Sequence, residues 1–301
     1  MEPAIEVLDI PLLALGEGPV WSPAAGAFFW LDIKGRGLHR LIWAERRHDR
    51  FDLPAEVGCM ALMEDGDLAL AFPDALCRLR PGESGLRHIA SFDPGGPNRR
   101  SNDGAVDRQG RFWFSTVADP GWRDEPTGRL WCCDARDRVH LVMQGLFMPN
   151  GTAAAADGET LYVSDSHPDI RRIWSFRLGG DAGLGDASLT GRTLFFDTAG
   201  RPGRPDGAAI DEAGGYWMAG VGGAELVRIA PDGRADRVIP LPVSHPTKAC
   251  FGGPELDVLL ITTIQPAAVG VAAEPTEIPG GSVLIMRPGV RGLAQKPFIC
   301  R

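Results

Sequence analysis

Six short hairpin patterns recur along the chain and constrain its fold more than any other feature. Each pattern joins a short apolar strand, a turn rich in polar residues and Gly, and a second apolar or aromatic strand. The turns are centred on Gly26, Gly66, Gly110, Gly158, Gly214 and Glu255, at steps of 40, 44, 48, 56 and 41 residues. A repeat of about 40–50 residues with four strands is typical of propeller blades. We therefore expect an all-β, six-bladed β-propeller, with residues 1–301 forming a single domain.

A closed propeller must also join its first blade to its last. The apolar segments Ile5–Leu12 and Ser282–Met286 lie at opposite ends of the repeats. We expect them to pair, so that the N-terminal strand completes the last blade. A β-sandwich is the structural alternative, but six similar hairpins at this spacing fit it poorly.

The composition indicates which binding partners and which cellular compartment to expect for this chain. The net charge is −8, and basic residues occur as pairs rather than as a patch, which argues against nucleic acid. No apolar run reaches the ~18 residues of a membrane span, and the N-terminus lacks a secretory profile. The six cysteines have no C-x-x-C spacing. We expect reduced thiols in a cytoplasmic monomer or weak homo-oligomer, with an exported, disulfide-bonded protein as the alternative.

In four of the six hairpin patterns, a polar residue interrupts the first strand at nearly the same distance before the turn. Asn102, Asn150 and Asp206 each lie eight residues before their turn glycine, and Glu17 lies nine before Gly26. At the same offset, blade two has Gly58 and blade six has Thr247 followed by Lys248. Equivalent positions in a closed ring face one another around its axis, so these side chains should converge at one mouth of the channel.

Converging carboxylates would repel one another unless a cation joined them. Carboxylate and carboxamide oxygens suit Ca²⁺, Mg²⁺ or Mn²⁺, and the six dispersed histidines provide no zinc-type cluster. Asn-Gly and Asp-Gly pairs, such as Asn150-Gly151 and Asp206-Gly207, are ordinarily plain turns. Glu17 is different, because its Gly-Glu-Gly-Pro setting has no structural need for a carboxylate. The pattern therefore predicts one shared cation site.

The chain resembles the regucalcin/gluconolactonase family, which includes bacterial sugar lactonases. The motifs are Leu15-Gly-Glu-Gly-Pro-Val-Trp, Arg100-Ser-Asn-Asp-Gly-Ala-Val-Asp, Pro149-Asn-Gly, Pro205-Asp-Gly and Lys248-Ala-Cys-Phe-Gly-Gly-Pro. They extend over nearly the whole chain in the family's order. The resemblance implies a six-bladed propeller and a metal-dependent hydrolase that opens a sugar lactone to the aldonic acid.

The resemblance also implies roles for individual residues. Glu17, Asn150 and Asp206 match the family's metal ligands, and Asp206 matches its proposed general base. Arg100 and Asn102 match residues that contact the lactone. One divalent ion is implied, with Ca²⁺ expected first and Zn²⁺, Mn²⁺, Mg²⁺ or Fe²⁺ as alternatives.

One loop departs from the family pattern. Animal members have a substrate-contacting Glu where this chain has Pro120, so Asp119, Asp124 or Glu125 could substitute. We assign Asp119 as the substrate-binding candidate, and Trp122 could stack on a sugar. The particular sugar is left open by this loop.

Two other functions fit the same scaffold. One is a metal-dependent ester or organophosphate hydrolase, which would need a more apolar pocket than Arg100 and Asn102 provide. The other is a non-enzymatic calcium-binding propeller, because a fold alone does not determine function. Asp103 is expected to brace Arg100 or its blade turn rather than to perform chemistry.

Overall fold

The computed structural model describes residues 3–83, 85–120, 124–179, 188–272 and 276–300. The described residues form 24 strands and one short 3-10 helix, Pro266–Val269. The strands make six four-stranded antiparallel sheets, and the predicted six-bladed propeller class is confirmed. The chain divides into two compact units, of which the first comprises Met1–Pro54 and Thr198–Ala294 and the second comprises Ala55–Asp197 and Gln295–Arg301. The single domain expected over residues 1–301 stays a prediction.

The first unit contains the first, fifth and sixth blades. Blade one comprises β2 (Gly16–Ser22), β3 (Ala27–Asp32), β4 (Gly37–Ile42) and β5 (Arg47–Asp52). Blade five comprises β18 (Arg204–Ile210), β19 (Tyr216–Val221), β20 (Glu225–Ile229) and β21 (Ala235–Pro240). Blade six comprises β22 (Pro246–Gly252), β23 (Val258–Thr263), β24 (Leu284–Met286) and β1 (Ile5–Val7).

The second unit contains blades two, three and four. Blade two comprises β6 (Cys59–Leu62), β7 (Leu68–Ala71), β8 (Ala75–Leu79) and β9 (Leu86–Ser91). Blade three comprises β10 (Arg99–Val106), β11 (Phe112–Ala118), β12 (Gly128–Cys133) and β13 (Val139–Leu146). Blade four comprises β14 (Pro149–Ala154), β15 (Thr160–Asp165), β16 (Arg172–Gly179) and β17 (Ser188–Asp197).

The N-terminal strand completes the sixth blade. Ile5 pairs with Met286 and Val7 with Leu284, both antiparallel. The pairing continues beyond β1, where the backbone N–H of Leu8 donates to the carbonyl of Val283 at 2.9 Å. The predicted pairing of the two chain ends is therefore confirmed, and β24 is not left as an open edge.

The hairpin turns lie where the repeat places them. The five turn glycines have positive φ angles of 55°, 87°, 80°, 74° and 82° in chain order, a conformation that favours glycine. Glu255 lies in the sixth turn, but there Gly253 and Leu256 take the positive φ angles. Glu255, the residue centred by the repeat count, thus lies between the two left-handed residues of this hairpin.

Buried aspartates fix two of these hairpins. Asp107 accepts hydrogen bonds from the backbone N–H groups of Gln109 and Arg111 and from the indole N–H of Trp113 at 2.8 Å. Asp211 repeats this arrangement and accepts from the indole of Trp217 at 2.8 Å. Each carboxylate therefore ties its turn to the second strand of the same hairpin.

Buried tryptophans lie in the core of both units. Trp21 packs with Phe28 and Cys250 in the first unit, and Trp113 packs with Leu161 in the second. Burying side chains of this size stabilises each unit by about 1.5–3 kcal/mol per residue. All six cysteines lie in the described residues, and none of them forms a disulfide there. Within the described part of the chain, no helix is long and apolar enough to span a membrane.

Blade one pairs a buried histidine, His39, with the half-buried His48, and this pair should make folding stability depend on pH. The Nδ1 atom of His39 lies 2.9 Å from Nε2 of His48, and the His39 ring stacks on Trp30 at 5.5 Å. Burial, followed by the charge of His48, lowers the pKa of His39 to about 4 from 6.5. Because the unfolded chain takes up this proton first, the stabilisation is present above pH 6.5 and is lost as pH falls toward 4.

We expect the free energy of unfolding to fall between pH 7 and pH 5, with His39 contributing about 2 kcal/mol of the fall. Urea unfolding at both pH values measures it. His39→Leu should reduce the pH dependence by that amount, whereas His88→Ala, which removes an exposed histidine, should not. An unchanged dependence in His39→Leu would show that His39 is not the titrating group.

Candidate active site

In most blades, the first strand contains a β-bulge at the position of the unusual polar residues. Among the described strands, the pairing register between the first and second strands shifts in five of the six blades. The shifts lie at Glu17/Val20, Ser101/Gly104, Asn150/Ala153, Pro205/Ala208 and Pro246/Lys248. Asn102 and Asp206 lie inside the bulge, whereas Glu17 and Asn150 are the last paired residues before it. Bulges re-aim side chains out of the regular alternation, so the common sequence offset marks a common structural device.

Gly58 explains why blade two contributes no side chain at this position. A Cβ atom on Gly58 would lie 2.0 Å from the carbonyl oxygen of Ser101, on the strand that carries Asn102. The backbone N–H of Gly58 also lies 2.8 Å from the Ser101 hydroxyl oxygen, to which it donates. Blade two therefore provides close backbone contact to β10 in place of a functional group.

In the second unit, the predicted substrate and metal residues form one chain of hydrogen bonds. Arg100 donates from Nε to Asp119 Oδ2 at 2.5 Å and from Nη1 to Asn102 Oδ1 at 2.5 Å. Asn102 Nδ2 then donates to Asn150 Oδ1 at 3.0 Å and to the Pro149 carbonyl at 2.9 Å. The sequence separates Arg100 from Asn150 by fifty residues, and the fold brings their blades together.

Each member of this chain is oriented by its neighbour. Arg100, Asn102 and Asn150 are 7%, 6% and 3% exposed, so their polar atoms are largely removed from water. Asn150 Nδ2 donates to the Ser166 hydroxyl at 3.0 Å, which directs Oδ1 of Asn150 toward Asn102. A carboxamide oxygen has two lone pairs, so Oδ1 can accept from Asn102 and still act as a ligand.

The loop that carries the three acidic candidates contacts Arg100 through Asp119. Its carboxylate forms an ion pair with Arg100, and its side chain is 21% exposed. Asp124 and Glu125, the other two candidates in this loop, are exposed. Trp122 lies outside the described residues. Among the three acidic candidates, Asp119 is therefore the one that the structure joins to Arg100.

Asp103 has a bracing role. Its Oδ2 atom accepts the backbone N–H of Thr152 at 2.6 Å, and its own N–H donates to Ser115 at 3.1 Å. The bond to Thr152 holds β10 against β14 beside Asn102 and Asn150, and the bond to Ser115 holds β10 against β11. The brace that is seen therefore joins two blades, and the expected hold on Arg100 or on its own turn stays a prediction.

In the first unit, Glu17 and Asp206 lie at corresponding bulges on β2 and β18. They are 5% and 6% exposed, and Glu17 Oε2 accepts the backbone N–H of Gly18 at 2.8 Å. Both strands contact β22, the first strand of blade six. Burying two carboxylates on strands that flank a third strand costs free energy unless cations or hydrogen-bond donors compensate their charge.

Buried carboxylates at the end of the second strand of two blades position the strands that carry the candidate residues. Asp32 accepts the backbone N–H groups of Ala14 and Leu15, both at 3.0 Å, just before Glu17. Asp165 accepts those of Phe147 and Met148 at 2.8 and 3.0 Å, just before Asn150. These braces and Ser166 were not found by sequence reasoning. Their signal was a polar Asp at the end of a buried second strand.

The chemistry of the donor set fits a hard divalent cation. Glu17 and Asp206 provide carboxylate oxygens, and Asn150 provides a carboxamide oxygen that is held in place by its amide nitrogen. No group of three or more His, Cys, Asp or Glu side chains suited to a metal occurs in the described residues. The predicted set contains only two such side chains, and its third ligand is Asn150.

His245 and His167 are buried and have local partners. His245 Nδ1 lies 2.7 Å from the Ser244 hydroxyl, and burial, followed by the charge of Arg204, lowers the pKa of His245. The His167 ring packs against Phe147 in a tilted arrangement with 4.4 Å between ring centroids. Packing and local hydrogen bonding therefore explain both histidines.

The chain is similar in sequence to known proteins over most of its length. The family model described as SMP-30/Gluconolactonase/LRE-like region matches residues 15–265. The chain is 35% identical over 287 residues to 6-deoxy-6-sulfogluconolactonase of Pseudomonas putida, covering 94% of each chain. It is 32% identical to pentonolactonase XacC of Haloferax volcanii, covering 88% of this chain and 87% of the relative.

A similar solved structure supports the same grouping. The calcium-binding protein regucalcin from Agrobacterium tumefaciens superposes with a TM-score of 0.83 at 25% identity, covering 99% of this chain and 97% of that one. The family match includes every residue of the predicted site, from Glu17 to Asp206. The chain therefore belongs to the SMP-30/gluconolactonase/LRE-like family.

Proposed function

We propose that this chain is a metal-dependent sugar lactonase, which adds water to an aldonolactone and releases the aldonic acid. The observation that carries the proposal is the hydrogen-bonded chain from Asp119 through Arg100 and Asn102 to Asn150. It presents guanidinium and carboxamide groups, which suit the hydroxyl and carbonyl oxygens of a polyol lactone. The lactonases among its relatives support the reaction class.

We propose Glu17, Asn150 and Asp206 as the protein ligands of one divalent cation. Ca²⁺ is the first candidate, supported by the calcium-binding regucalcin neighbour, and Zn²⁺, Mn²⁺, Mg²⁺ and Fe²⁺ are the alternatives. When bound, such an ion supplies Lewis-acid polarisation of a carbonyl and makes nearby water more acidic. The two carboxylates and one amide oxygen provide a charge of −2, which a divalent ion balances.

Arg100 and Asn102 position the substrate. The bonds to Asp119 and Asn102 use Nε and Nη1 of Arg100, and Nη2 carries two further donors that can reach a lactone oxygen. A guanidinium also stabilises the oxyanion that forms when water attacks the carbonyl. Because Asp119 and Asn102 hold the guanidinium from two sides, its direction is set before substrate binds.

Asp206 is the proposed general base. Its carboxylate removes one proton from the attacking water as the carbon–oxygen bond forms. When the ring carbon–oxygen bond breaks, the same proton can pass to the departing ring oxygen, which becomes the hydroxyl of the open acid. The reaction is therefore balanced with one water consumed and no co-reactant.

A lactone hydrolysis assay with and without chelator tests the proposal. We expect the purified protein to open d-glucono-1,5-lactone or a pentonolactone, to lose at least 90% of the rate with EDTA, and to recover with added Ca²⁺ or Mn²⁺. Because the relatives are named for six- and five-carbon lactones, both substrates are assayed.

The same assay separates the alternatives. Metal-restored turnover of p-nitrophenyl acetate or paraoxon, without turnover of any aldonolactone, would indicate an ester or organophosphate hydrolase. Calcium binding by calorimetry without turnover of any of these substrates would indicate a non-enzymatic calcium-binding propeller. Either result would overturn the lactonase proposal.

A further inference from the structure

Ser166 is a buried serine at a position where other blades have branched apolar side chains. It follows β15, is 1% exposed, and its backbone N–H donates to the carbonyl of Met148 at 2.9 Å. Met148 lies two residues before Asn150, so this bond fixes Ser166 beside the strand that carries Asn150. In four other blades, the residue that pairs with the equivalent of Met148 is apolar, namely Ile33, Val117, Val221 and Ile264. Blade four differs from these four by placing a hydroxyl there.

The hydrogen bonds that lead to Ser166 have only one possible direction. Arg100 can only donate, so its contact identifies Oδ1 of Asn102, and the Pro149 carbonyl can only accept, so it identifies Nδ2 of Asn102. Nδ2 of Asn102 then donates to Oδ1 of Asn150 at 3.0 Å, which leaves Nδ2 of Asn150 facing the Ser166 hydroxyl, also at 3.0 Å. The orientation of both carboxamides therefore follows from the chemistry of their partners.

Ser166 supplies the acceptor that the amide nitrogen of Asn150 needs. Asn150 is 3% exposed, so water has little access to Nδ2, and within the described residues this nitrogen donates to Ser166. A buried donor that loses its acceptor costs free energy, and the carboxamide can recover that cost by turning away. With Ile or Val at position 166, as in the other blades, Asn150 would be held only through Oδ1. Asn102 thus sets the direction of the carboxamide, and Ser166 holds its other end.

We propose that Ser166 is a positioning residue, which holds the Asn150 carboxamide so that Oδ1 keeps one direction in the candidate site. The inference rests on the proposed lactonase function, in which Asn150 is a metal ligand. Oδ1 retains one lone pair beside its bond to Asn102, and a side chain held at both ends presents that lone pair without first being ordered. Replacing a residue that orients a ligand typically changes metal affinity or activity by about 10–100-fold.

Two variants of the same shape isolate the hydroxyl group. Ser166→Val introduces the kind of side chain that the other blades have here, whereas Ser166→Thr adds the same branch and keeps the oxygen. We expect Ser166→Val to weaken the binding of Ca²⁺ or Mn²⁺, measured by calorimetry, and to lower kcat/KM on a sugar lactone, each by about tenfold. Ser166→Thr should stay within about threefold of wild type in both. Ser175→Val makes the same change on the neighbouring strand β16 and should behave as wild type.

Nuclear magnetic resonance of the full-length protein, with and without chelator, provides a readout that does not depend on turnover. The chain contains three asparagines, Asn98, Asn102 and Asn150, so ¹⁵N labelling of asparagine gives three pairs of carboxamide signals. Asn98→Asp and Asn102→Asp assign them. In Ser166→Val, hydrogen exchange at Nδ2 of Asn150 should be about tenfold faster than in wild type, because its hydrogen bond is lost. Asn98 is exposed, and its exchange should not change.

The outcomes distinguish the inference from the function on which it rests. Unchanged exchange at Asn150 in Ser166→Val would overturn the role of Ser166 and leave the lactonase proposal standing. Equal losses in Ser166→Val and Ser166→Thr would overturn it as well, because the missing hydroxyl would not be their cause. If Ser166→Val fails to fold, Ser166→Ala takes its place in every measurement. An absence of turnover on every lactone by wild type would instead overturn the proposed function, and the exchange rates would still decide the role of Ser166.

Discussion

Replacing Asp206 with Ala is expected to lower kcat/KM on a sugar lactone by about 10³-fold, and to remove most of the bound metal at the same time. Asp206 lies in the β18 bulge and is 6% exposed, and it is assigned both as ligand and as base. Losing one of two carboxylates leaves the site with half of its negative charge. Steady-state kinetics and metal analysis of the purified protein measure both effects.

Asp206→Asn separates the two roles of this residue. It keeps an oxygen ligand but cannot accept a proton, so turnover should fall nearly as far while part of the metal is retained. Asp232→Ala, which removes an exposed aspartate from blade five, serves as the control and should change neither quantity. Full metal occupancy in Asp206→Ala would refute the ligand assignment.

Replacing Arg100 with Ala is expected to lower kcat by about 10²–10³-fold while the metal stays bound. Arg100 is hydrogen bonded to Asp119 and Asn102 and is not among the proposed ligands. The variant removes donors that act on the transition state, so kcat should fall more than KM rises. Steady-state kinetics, together with metal content and melting temperature, measure the outcome.

Two further variants sharpen this expectation. Arg100→Lys keeps the charge but loses the planar group that bonds to Asp119 and Asn102 together, so it should recover only a small part of the rate. Arg234→Ala removes an exposed arginine and should behave as wild type. Loss of the metal together with turnover in Arg100→Ala would indicate that Arg100 supports the ligands rather than the substrate.

The fold was predictable because its information is local and repeated. Each blade can be recognised in the sequence by a turn between two apolar strands, and in five blades the turn is centred on a glycine. Counting these turns gives the number of sheets. The sixth turn was the least well placed, since Gly253 and Leu256 rather than Glu255 take the left-handed conformation. The pairing of Ile5 with Met286 followed from the need to complete the last sheet.

The positions of the candidate residues on their strands were predictable, but the contacts among their side chains were not. Counting from the turns found Glu17, Asn102, Asn150 and Asp206, because one bulge recurs at that offset. The hydrogen bond between Asn102 and Asn150, and the brace from Asp103 to Thr152, depend on how neighbouring blades pack. Side-chain contacts between segments fifty residues apart leave no pattern in a single sequence.

The pairing of β1 with β24 has a consequence for synthesis in the cell. Ile5 leaves the ribosome early, but its partner Met286 is added about 280 residues later. At bacterial or eukaryotic elongation rates of about 5–20 residues per second, the N-terminal strand waits on the order of tens of seconds for its partner. Throughout that interval the nascent chain carries an unpaired strand, so blade six forms only near the end of translation.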